Sequence, residues 1–294
     1  MTTECHILSG NIQTDTVQHD FLSVIIAAHN EEDYIADCLE ALLEQDNSAG
    51  LVEVIVAANA CTDRTEDVVF SMKTAFEERN WRLVLLKISR AGKPNAFNQG
   101  DDAAIGNNRI YLDADVRCDP EMLGQLRAAL SQQHPIYATG TIQVVPPSTW
   151  ITKRYAEFWV RLPFVQNGAV GAGLFSANAA GRKRWGQFPA VISDDTFVRL
   201  NFAPEERIEV AARYHWPMVE GMRNLVRVRC RQDAGVAEIR RLYPELIRNE
   251  NAQKISLSNL LHLMVQVPIG FLVYATIQTL VRLRPGSSEW VRGR

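Results

Sequence analysis

Four short apolar segments organise the first half of the chain, at residues 22–28, 52–58, 83–88 and 109–112. Continuous apolar runs of this length, rich in β-branched residues, are typical of strands that are buried on both faces of a sheet. Each run is followed by a segment of helical character. Four repeats of strand and helix predict an α/β fold, with a mostly parallel sheet covered by helices on both faces.

The predicted helices are marked by apolar side chains that recur every three or four residues. The clearest set follows the first strand and comprises Tyr34, Ile35, Cys38, Leu39, Leu42 and Leu43. Further helices are predicted at about 65–78, from about Pro94, and after the fourth strand with Pro120 in the first turn. The alternation ends near residue 145, before an aromatic helix predicted at 150–159.

Ligands of parallel α/β sheets bind at the carboxyl ends of the strands. In this chain those ends are polar, at residues 29–31, 59–63, 90–93 and 113–115. We therefore expect the functional site of the first half to lie there.

Asp113 and Asp115 follow the fourth predicted strand and are candidate metal ligands. In extended chain, side chains two residues apart point to opposite sides, so a turn is needed before both carboxylates can serve one site. Carboxylate oxygens are ligands that Mg²⁺ or Mn²⁺ prefers, and such an ion neutralises a departing phosphate. The alternative is a surface turn with two solvated aspartates.

Two other segments carry candidate chemistry. Lys93 follows Gly92 just before a predicted helix, where a phosphate could bind, although the pattern of a Walker P-loop is missing. Asp194 and Asp195 are adjacent carboxylates, and their repulsion with partial burial would raise the pKa of one of them towards that of a general base. A plain turn and a helix cap are the respective structural alternatives.

Composition and charge narrow the class of protein. Five widely spaced cysteines, with no Cys-x-x-Cys pair, predict reduced thiols in a cytosolic compartment, and the N-terminus lacks the pattern of a secretory signal. Residues 1–150 carry 10 Lys and Arg against 22 Asp and Glu, whereas residues 151–294 carry 21 against 12. A basic second half suits an anionic partner such as a pyrophosphate, a lipid phosphate or an anionic membrane surface, unless it is merely a set of solvated helix faces. No nucleic-acid partner is expected.

Five segments, in order, resemble the motifs of the family-2 glycosyltransferases, which have the GT-A fold. Ser23-Val-Ile-Ile-Ala-Ala-His-Asn-Glu-Glu resembles "SVIIPAYNEE", and the segment 57–63 resembles "VDNGSTD". The segment 92–100 resembles "GKxxALNxG", 111–115 contains the D-x-D, and 193–195 resembles "TED". Each match is weak alone, but five in the family's order and spacing are hard to obtain by chance.

The resemblance implies an inverting enzyme that moves a sugar from a nucleotide-sugar donor to a hydroxyl of a lipid-linked or polysaccharide acceptor, in cell-envelope or exopolysaccharide synthesis. It implies Mg²⁺ or Mn²⁺ as cofactor. With the polar leader and the apolar tail read from the residues, we expect four parts of the chain: a polar leader at 1–20, a nucleotide-sugar-binding half at 21–145, an acceptor-binding half of the same domain at 146–250, and a hydrophobic helical segment with a basic tail at 251–294.

Site roles follow from the same resemblance, position by position. Asp113 would face the ribose and the metal, Asp115 would be the metal ligand, and Asp195 would be the base, with Asp194 as second choice. The remaining donor-site candidates are His29, Glu31, Asn59, Asp63 and Lys93. Gly171, Gly173 and Phe175 would shape the acceptor and donor-sugar site, and Arg229 and Arg231 are weaker candidates for contact with the diphosphate.

The sequence departs from the family pattern at several positions. Ala58 stands where an acidic residue usually contacts the base of the donor, and the Gln-x-x-Arg-Trp motif of processive synthases has no clean counterpart. Transfer of a single sugar is therefore favoured over processive synthesis. Two alternatives stay open: a catalytically degenerate module that binds a nucleotide or polysaccharide, and a sugar-phosphate nucleotidyltransferase.

The tail contains 27 residues without a charged side chain, at 255–281. Pro268 and Gly270 interrupt it, and halves of about 13 residues are too short to cross a bilayer alone. Basic residues flank both ends, so we expect a monotopic helical hairpin at the inner face of the cell membrane. The alternative is a helix pair packed on the catalytic domain or on a second protomer.

Overall fold

The computed structural model describes residues 4–7, 21–251 and 255–284. The chain forms two compact units, each assembled from three segments. The first unit comprises Met1–Thr141, Gly171–Ala190 and Glu205–His215. The second comprises Ile142–Val170, Val191–Pro204 and Trp216–Arg294.

A mixed sheet forms the centre of the first unit, and within the described residues its strand order is β1-β4-β3-β2-β5-β8-β7-β9-β6. The strands are β1 (Glu4–Ile7), β2 (Leu22–Ala28), β3 (Val52–Asn59), β4 (Arg82–Ile88), β5 (Asn108–Asp113), β6 (Arg117–Cys118), β7 (Tyr137–Val144), β8 (Leu174–Ala177) and β9 (Arg207–Trp216).

The four strands expected from the apolar runs are β2 to β5, each found within one residue of the predicted bounds. β2 pairs in parallel with β3 and β5, and β3 pairs in parallel with β4. Their side chains are almost completely buried, because helices cover both faces of these strands. The α/β prediction is confirmed, while β1 and β8 add antiparallel neighbours to β4 and β5.

The described part of the chain contains twelve α-helices. They are α1 (Ile35–Leu43), α2 (Thr65–Ser71), α3 (Lys73–Glu78), α4 (Lys93–Ala103), α5 (Met122–Leu130), α6 (Trp150–Trp159), α7 (Pro163–Asn167), α8 (Ala179–Arg182), α9 (Asp194–Leu200), α10 (Met222–Leu242), α11 (Leu257–Gln266) and α12 (Pro268–Arg282).

Two helix predictions need correction. The helix predicted at 65–78 is divided in two at Met72. Pro120 precedes α5 and does not lie in its first turn, since the helix begins at Met122. The aromatic helix α6 has the predicted bounds.

The edge of the sheet opposite the candidate site is fixed by a buried carboxylate. Glu53 is fully buried, and its Oε1 accepts hydrogen bonds from the Ser23 hydroxyl at 2.5 Å and from the amides of Ile105 at 2.6 Å and Gly106 at 3.1 Å. Its Oε2 lies 2.6 Å from Arg82 Nη1. A buried carboxylate is stable only when such partners replace water, so Glu53 ties the loop before β5 to the strands beside it.

The second unit contains a helical core in which α6, α10 and α12 pack together. Tyr155 stacks on Tyr274 at 5.4 Å, and Phe158 meets Phe271 edge-on at 5.6 Å between centroids. Gly270 permits the close approach of α12 to α6, because a Cβ atom there would lie 2.8 Å from the Arg154 carbonyl oxygen. The predicted break in the apolar tail is found at Val267, where α11 and α12 meet at a bend of 118°.

None of the helices in the described residues is long and apolar enough to span a bilayer alone, although the bent pair α11 and α12 passes that test by length and composition together. α12 buries Gly270, Ile277 and Val281 against its own unit, whereas α11 buries no side chain.

We predict that Gly106→Ala lowers the free energy of unfolding by about 1–3 kcal/mol, since the new Cβ has no room. It would lie 2.1 Å from the backbone oxygen of Phe21 and would push the loop away from Glu53. Gly186→Ala is the matched control, because no atom lies within 4 Å of its Cβ position. Thermal and denaturant unfolding check this, and equal stability of the two variants would contradict it.

Candidate active site

Hydrogen bonds join the loops after β2 and β3 at the carboxyl edge of the sheet. His29 Nδ1 lies 2.6 Å from the Asn59 carbonyl oxygen, so in the neutral ring the proton is on Nδ1. The amide of Thr62 donates to Asn30 Oδ1 at 2.7 Å, and the amide of Glu31 donates to the Thr65 hydroxyl at 2.7 Å. The predicted residues His29, Glu31 and Asn59 are therefore neighbours on one rigid edge.

The carboxylate of Asp63 accepts hydrogen bonds that hold these two loops. Its Oδ1 accepts from the Thr65 hydroxyl at 2.6 Å and the Thr65 amide at 3.0 Å, while its Oδ2 accepts from the Glu32 amide at 3.1 Å. Burial would raise the pKa of Asp63, but these hydrogen bonds outweigh it and hold the pKa below its usual value. Asp63 therefore stabilises these loops, in addition to any contact that it makes with a donor.

Asn59 ends β3 and is 5% exposed. Its side-chain Oδ1 has no hydrogen-bond partner among the residues that the structure describes. An unsatisfied buried carbonyl costs free energy, so this oxygen is suited to accept a hydrogen bond from a ligand. It lies next to Ala58, where the family usually has an acidic side chain.

The chain turns directly after β5, as a shared role for Asp113 and Asp115 requires. The Val116 amide donates to the Asp113 carbonyl oxygen at 3.2 Å, and the apolar side chains of Ala114 and Val116 are buried. Both aspartates are partly exposed. Buried apolar neighbours thus anchor a turn that presents two carboxylates at the carboxyl end of a central strand.

Lys93, at the start of α4, contacts this turn. Gly92 before it has φ +140°, a conformation that favours glycine, and Pro94 occupies the first helical turn. Lys93 Nζ lies 2.8 Å from Asp113 Oδ1 and 5.3 Å from the centre of the Phe97 ring. The structure therefore joins two candidates that the sequence assigned to different strand ends.

The glycine-rich segment supports the same turn. The Asp113 amide donates to the Gly173 carbonyl oxygen at 2.8 Å. Gly171 and Gly173 have φ +65° and +81°, and a Cβ on Gly171 would lie 1.9 Å from the Tyr137 hydroxyl. Both positions require glycine for backbone reasons, and they fix the main chain on which Asp113 sits.

Phe175, which was predicted to shape the acceptor and donor-sugar site, is 2% exposed and lies in the core. It stacks on Tyr111 at 5.0 Å and meets Phe97 at 6.1 Å between centroids. Phe188 joins this aromatic cluster, and its backbone is held by the Asn98 amide group in both directions, at 2.7 and 3.2 Å. Asn98 belongs to the segment 92–100 that resembles a family motif, but the sequence does not show that its side chain binds the backbone of Phe188.

In the second unit, Asp194 and Asp195 form the first turn of α9, after Ser193 at the N-cap position. Carboxylates there are stabilised by the helix dipole. Asp194 is 7% exposed, whereas Asp195 is partly exposed and its Oδ1 accepts from the Thr196 amide at 2.6 Å. The amide of Ile192 donates to Glu238 of α10 at 2.9 Å, which fixes the segment that precedes the pair.

Arg229 and Arg231, the weaker candidates for contact with the diphosphate, lie on helix α10. Arg229 donates to Gln232 and to Asp233, each at 2.9 Å, within its own helix.

No group of three or more His, Cys, Asp or Glu side chains that could hold a metal ion is found in the described residues. Asp113 and Asp115 are two carboxylates on one turn. Such a pair fits Mg²⁺ or Mn²⁺ when phosphate oxygens and water complete the coordination, as these ions commonly require. The residues present therefore fit an ion that shares its ligands with a bound diphosphate.

The model of the family described as glycosyl transferase family 2 matches residues 23–185, more than half of the chain. The chain belongs to glycosyltransferase family 2. The resemblance drawn from its five motifs is confirmed, and the match covers the first-unit candidates at the carboxyl edge.

The names of relatives of this family 2 chain include an undecaprenyl-phosphate transferase and a poly(ribitol-phosphate) glycosyltransferase. Undecaprenyl-phosphate 4-deoxy-4-formamido-L-arabinose transferase of Edwardsiella ictaluri is 26% identical over 136 residues, 46% of this chain and 40% of the relative. The aligned segment spans less than half of that relative's length. Two solved structures also resemble this family 2 chain in fold.

The Staphylococcus aureus protein TarS in complex with UDP-GlcNAc has a TM-score of 0.51 and 17% identity, over 88% of this chain and 70% of that one. The mannosyltransferase PcManGT from Pyrobaculum calidifontis, in complex with GDP-Man and Mn²⁺, has a TM-score of 0.56 and 20% identity, over 90% and 75%. At these identities the likeness establishes the GT-A-like fold.

We predict that Asp63→Ala lowers the free energy of unfolding by about 1.5–3 kcal/mol without any ligand, since three hydrogen bonds to a charged carboxylate are lost. Because the pKa of Asp63 is lowered by folding, its contribution is present above the unfolded-state pKa and is lost as the pH falls through the folded-state pKa. The stability gap between wild type and variant should therefore close in acid.

Asp67→Ala is the control, because this exposed carboxylate lies in the first turn of α2 and should contribute less than about 1 kcal/mol. Unfolding curves of the three proteins between neutral and acid pH make the comparison. If Asp63→Ala and Asp67→Ala have the same free energy of unfolding at every pH, Asp63 does not stabilise the loops.

Proposed function

We propose that the chain is an inverting glycosyltransferase, moving a sugar from a nucleoside diphosphate sugar to a hydroxyl of a lipid-linked or polysaccharide acceptor in cell-envelope or exopolysaccharide synthesis. The observation that supports this most is the turn after β5, where Asp113 is bonded through its amide to Gly173 and through its carboxylate to Lys93. Carboxylates and a lysine at one strand end are the groups that a diphosphate with a divalent cation needs.

In this proposal, the carboxyl edge of the sheet binds the donor. Asn59 Oδ1 accepts a hydrogen bond from the base, and His29 and Glu31 line the same pocket. Asp113 and Asp115 would hold Mg²⁺ or Mn²⁺, which when bound neutralises charge on the departing diphosphate. The names of the neighbours, one with UDP-GlcNAc and one with GDP-Man and Mn²⁺, support a donor of this class.

Asp195 supplies the base in the proposed reaction, with Asp194 as the alternative. The acceptor oxygen attacks the anomeric carbon as the bond to the diphosphate oxygen breaks, and the hydroxyl proton passes to the carboxylate. A single displacement inverts the anomeric carbon and needs no covalent intermediate. The partial exposure of Asp195, against 7% for Asp194, supports Asp195 as the group that an acceptor can reach.

The two alternatives from the sequence have less support. A sugar-phosphate nucleotidyltransferase would need a glycine-rich, basic loop directly after β2, and this chain has His29, Asn30 and Glu31 there. A degenerate binding module would not need the Asp194-Asp195 pair. Both alternatives are separated from the proposal by assays of transfer.

Asp195→Asn should lower the transfer rate by about 10²–10⁴-fold, because the amide cannot accept the proton. Binding of the donor should survive, whereas Asp115→Ala should weaken metal-dependent donor binding. Thermal shift with a panel of nucleoside diphosphate sugars and Mn²⁺ identifies the donor, since a ligand held by the folded state raises the Tm. Comparable turnover by Asp195→Asn would remove the proposed base.

We also propose that the protein is cytoplasmic and attaches to the inner face of the cell membrane through α11 and the start of α12. Leu257, Leu261 and Val265 recur every four residues along α11 and are 73%, 53% and 81% exposed. Arg248 before this face and Arg282 in the last turn of α12 can contact anionic lipid headgroups. The bend of 118° suits a helix pair that lies in one leaflet.

The membrane proposal predicts that the protein floats with vesicles of phosphatidylcholine and phosphatidylglycerol. Replacing Leu257, Leu261 and Val265 together by Glu should reduce binding by at least about tenfold, since apolar area is no longer buried. Phe70→Glu is the control, because Phe70 is 59% exposed on α2, which belongs to the first unit. Equal flotation of the triple variant and wild type, or none by either, would contradict the proposal.

A further inference from the structure

The contact between Lys93 and Asp113 joins two elements that reach the site by separate routes. Lys93 Nζ lies 2.8 Å from Asp113 Oδ1, and the two side chains are 30% and 31% exposed. Gly92, at φ +140°, sets the start of α4, whereas the backbone of Asp113 is held by Gly173. The ion pair is therefore positioned by the fold from both sides.

We infer that Lys93 is an internal counter-ion that occupies the Asp113 carboxylate until a donor diphosphate arrives. This inference rests on the proposed function, in which Asp113 and Asp115 hold a divalent cation. An ammonium group and a divalent cation at the same carboxylate repel each other, so free metal must displace Lys93 or bind less tightly. The protein would then take up the ion together with the nucleotide.

The diphosphate resolves this competition, because it adds negative charge where two cations would otherwise meet. Lys93 can turn from Asp113 to a phosphate oxygen as the ion reaches the carboxylate. The metal and the nucleotide would then favour each other's binding, and such coupling is reciprocal. Lys93 acts here as a positioning residue that controls when Asp113 is available.

The small number of metal-ligating side chains also supports uptake of the ion together with the nucleotide. In the part of the chain that the structure describes, no third carboxylate, His or Cys completes a metal cluster beside the two aspartates. With Asp113 already paired, the protein alone offers a weak site to a free ion. Phosphate oxygens supply what is missing.

The competing explanation is an ordinary surface ion pair. Pairs that are about one-third exposed contribute little to stability and are screened by salt. In that case the charge of Lys93 would have no effect on a metal ion at Asp113.

The experiment is a titration of the full chain with Mn²⁺, without nucleotide, followed by the electron paramagnetic resonance signal of free Mn²⁺. Lys93→Met keeps about the length of the side chain but removes its charge, and with it the cation–π contact of Nζ with Phe97. We expect Lys93→Met to bind Mn²⁺ about tenfold more tightly than wild type, within the usual range of coupling between ligands. Lys93→Gln is a second neutral variant, and Lys93→Arg, which keeps the charge, should resemble wild type.

Lys73→Met is the matched control, because Lys73 pairs with Glu77 within the surface helix α3 at 3.6 Å. It changes the net charge equally and should leave Mn²⁺ affinity unchanged. A second titration, with UDP or GDP present, should show that the nucleotide tightens Mn²⁺ binding more in wild type than in Lys93→Met.

The outcomes separate this inference from the proposed function. If the nucleotide tightens Mn²⁺ binding equally in wild type and Lys93→Met, and both bind free Mn²⁺ alike, the counter-ion role is overturned while the donor site stands. If Lys93→Met binds free Mn²⁺ more weakly, the role is also overturned. Absence of Mn²⁺ binding in all variants, with UDP and with GDP, would overturn the metal site and the inference with it.

Discussion

The position of one carboxylate, that of Asp113, depends on most of the first unit. The parallel strands bring the loops after β2, β3 and β5 to one edge, and Asp113 is the last residue of β5. Its amide is bonded to Gly173, and its carboxylate is bonded to Lys93. In such folds the buried core provides stability, and the loops at the polar strand ends carry the chemistry. The loops can therefore change while the strands stay the same.

Much of the fold could be predicted because the informative segments are local. The strands β2 to β5 are continuous apolar runs, and α6 has an aromatic pattern at helical spacing, so periodicity alone finds them. The antiparallel strands carry less signal: β6 contains two residues, and β9, which lies between β7 and β6, alternates buried and exposed positions. The break at Met72 also has no local marker.

The candidate site was predictable in its members but not in its contacts. Motif order identified Asp113 and Lys93, yet their ion pair joins residues that are distant in sequence and belong to different elements. The hydrogen bond of the Asp113 amide to Gly173 and that of the Glu32 amide to Asp63 are likewise tertiary contacts. The packing of Phe175 could not be predicted either, since its neighbours Tyr111 and Phe97 come from other elements.

The central claim is that a nucleoside diphosphate and a divalent cation bind at the turn after β5. A crystal structure with UDP or GDP and Mn²⁺ tests it most directly, because the anomalous signal of manganese locates the ion without ambiguity. We expect the ion in contact with a carboxylate oxygen of Asp113 or Asp115 and with the diphosphate, at about 2.0–2.6 Å. Manganese and nucleotide bound elsewhere, with Lys93 still on Asp113, would contradict it.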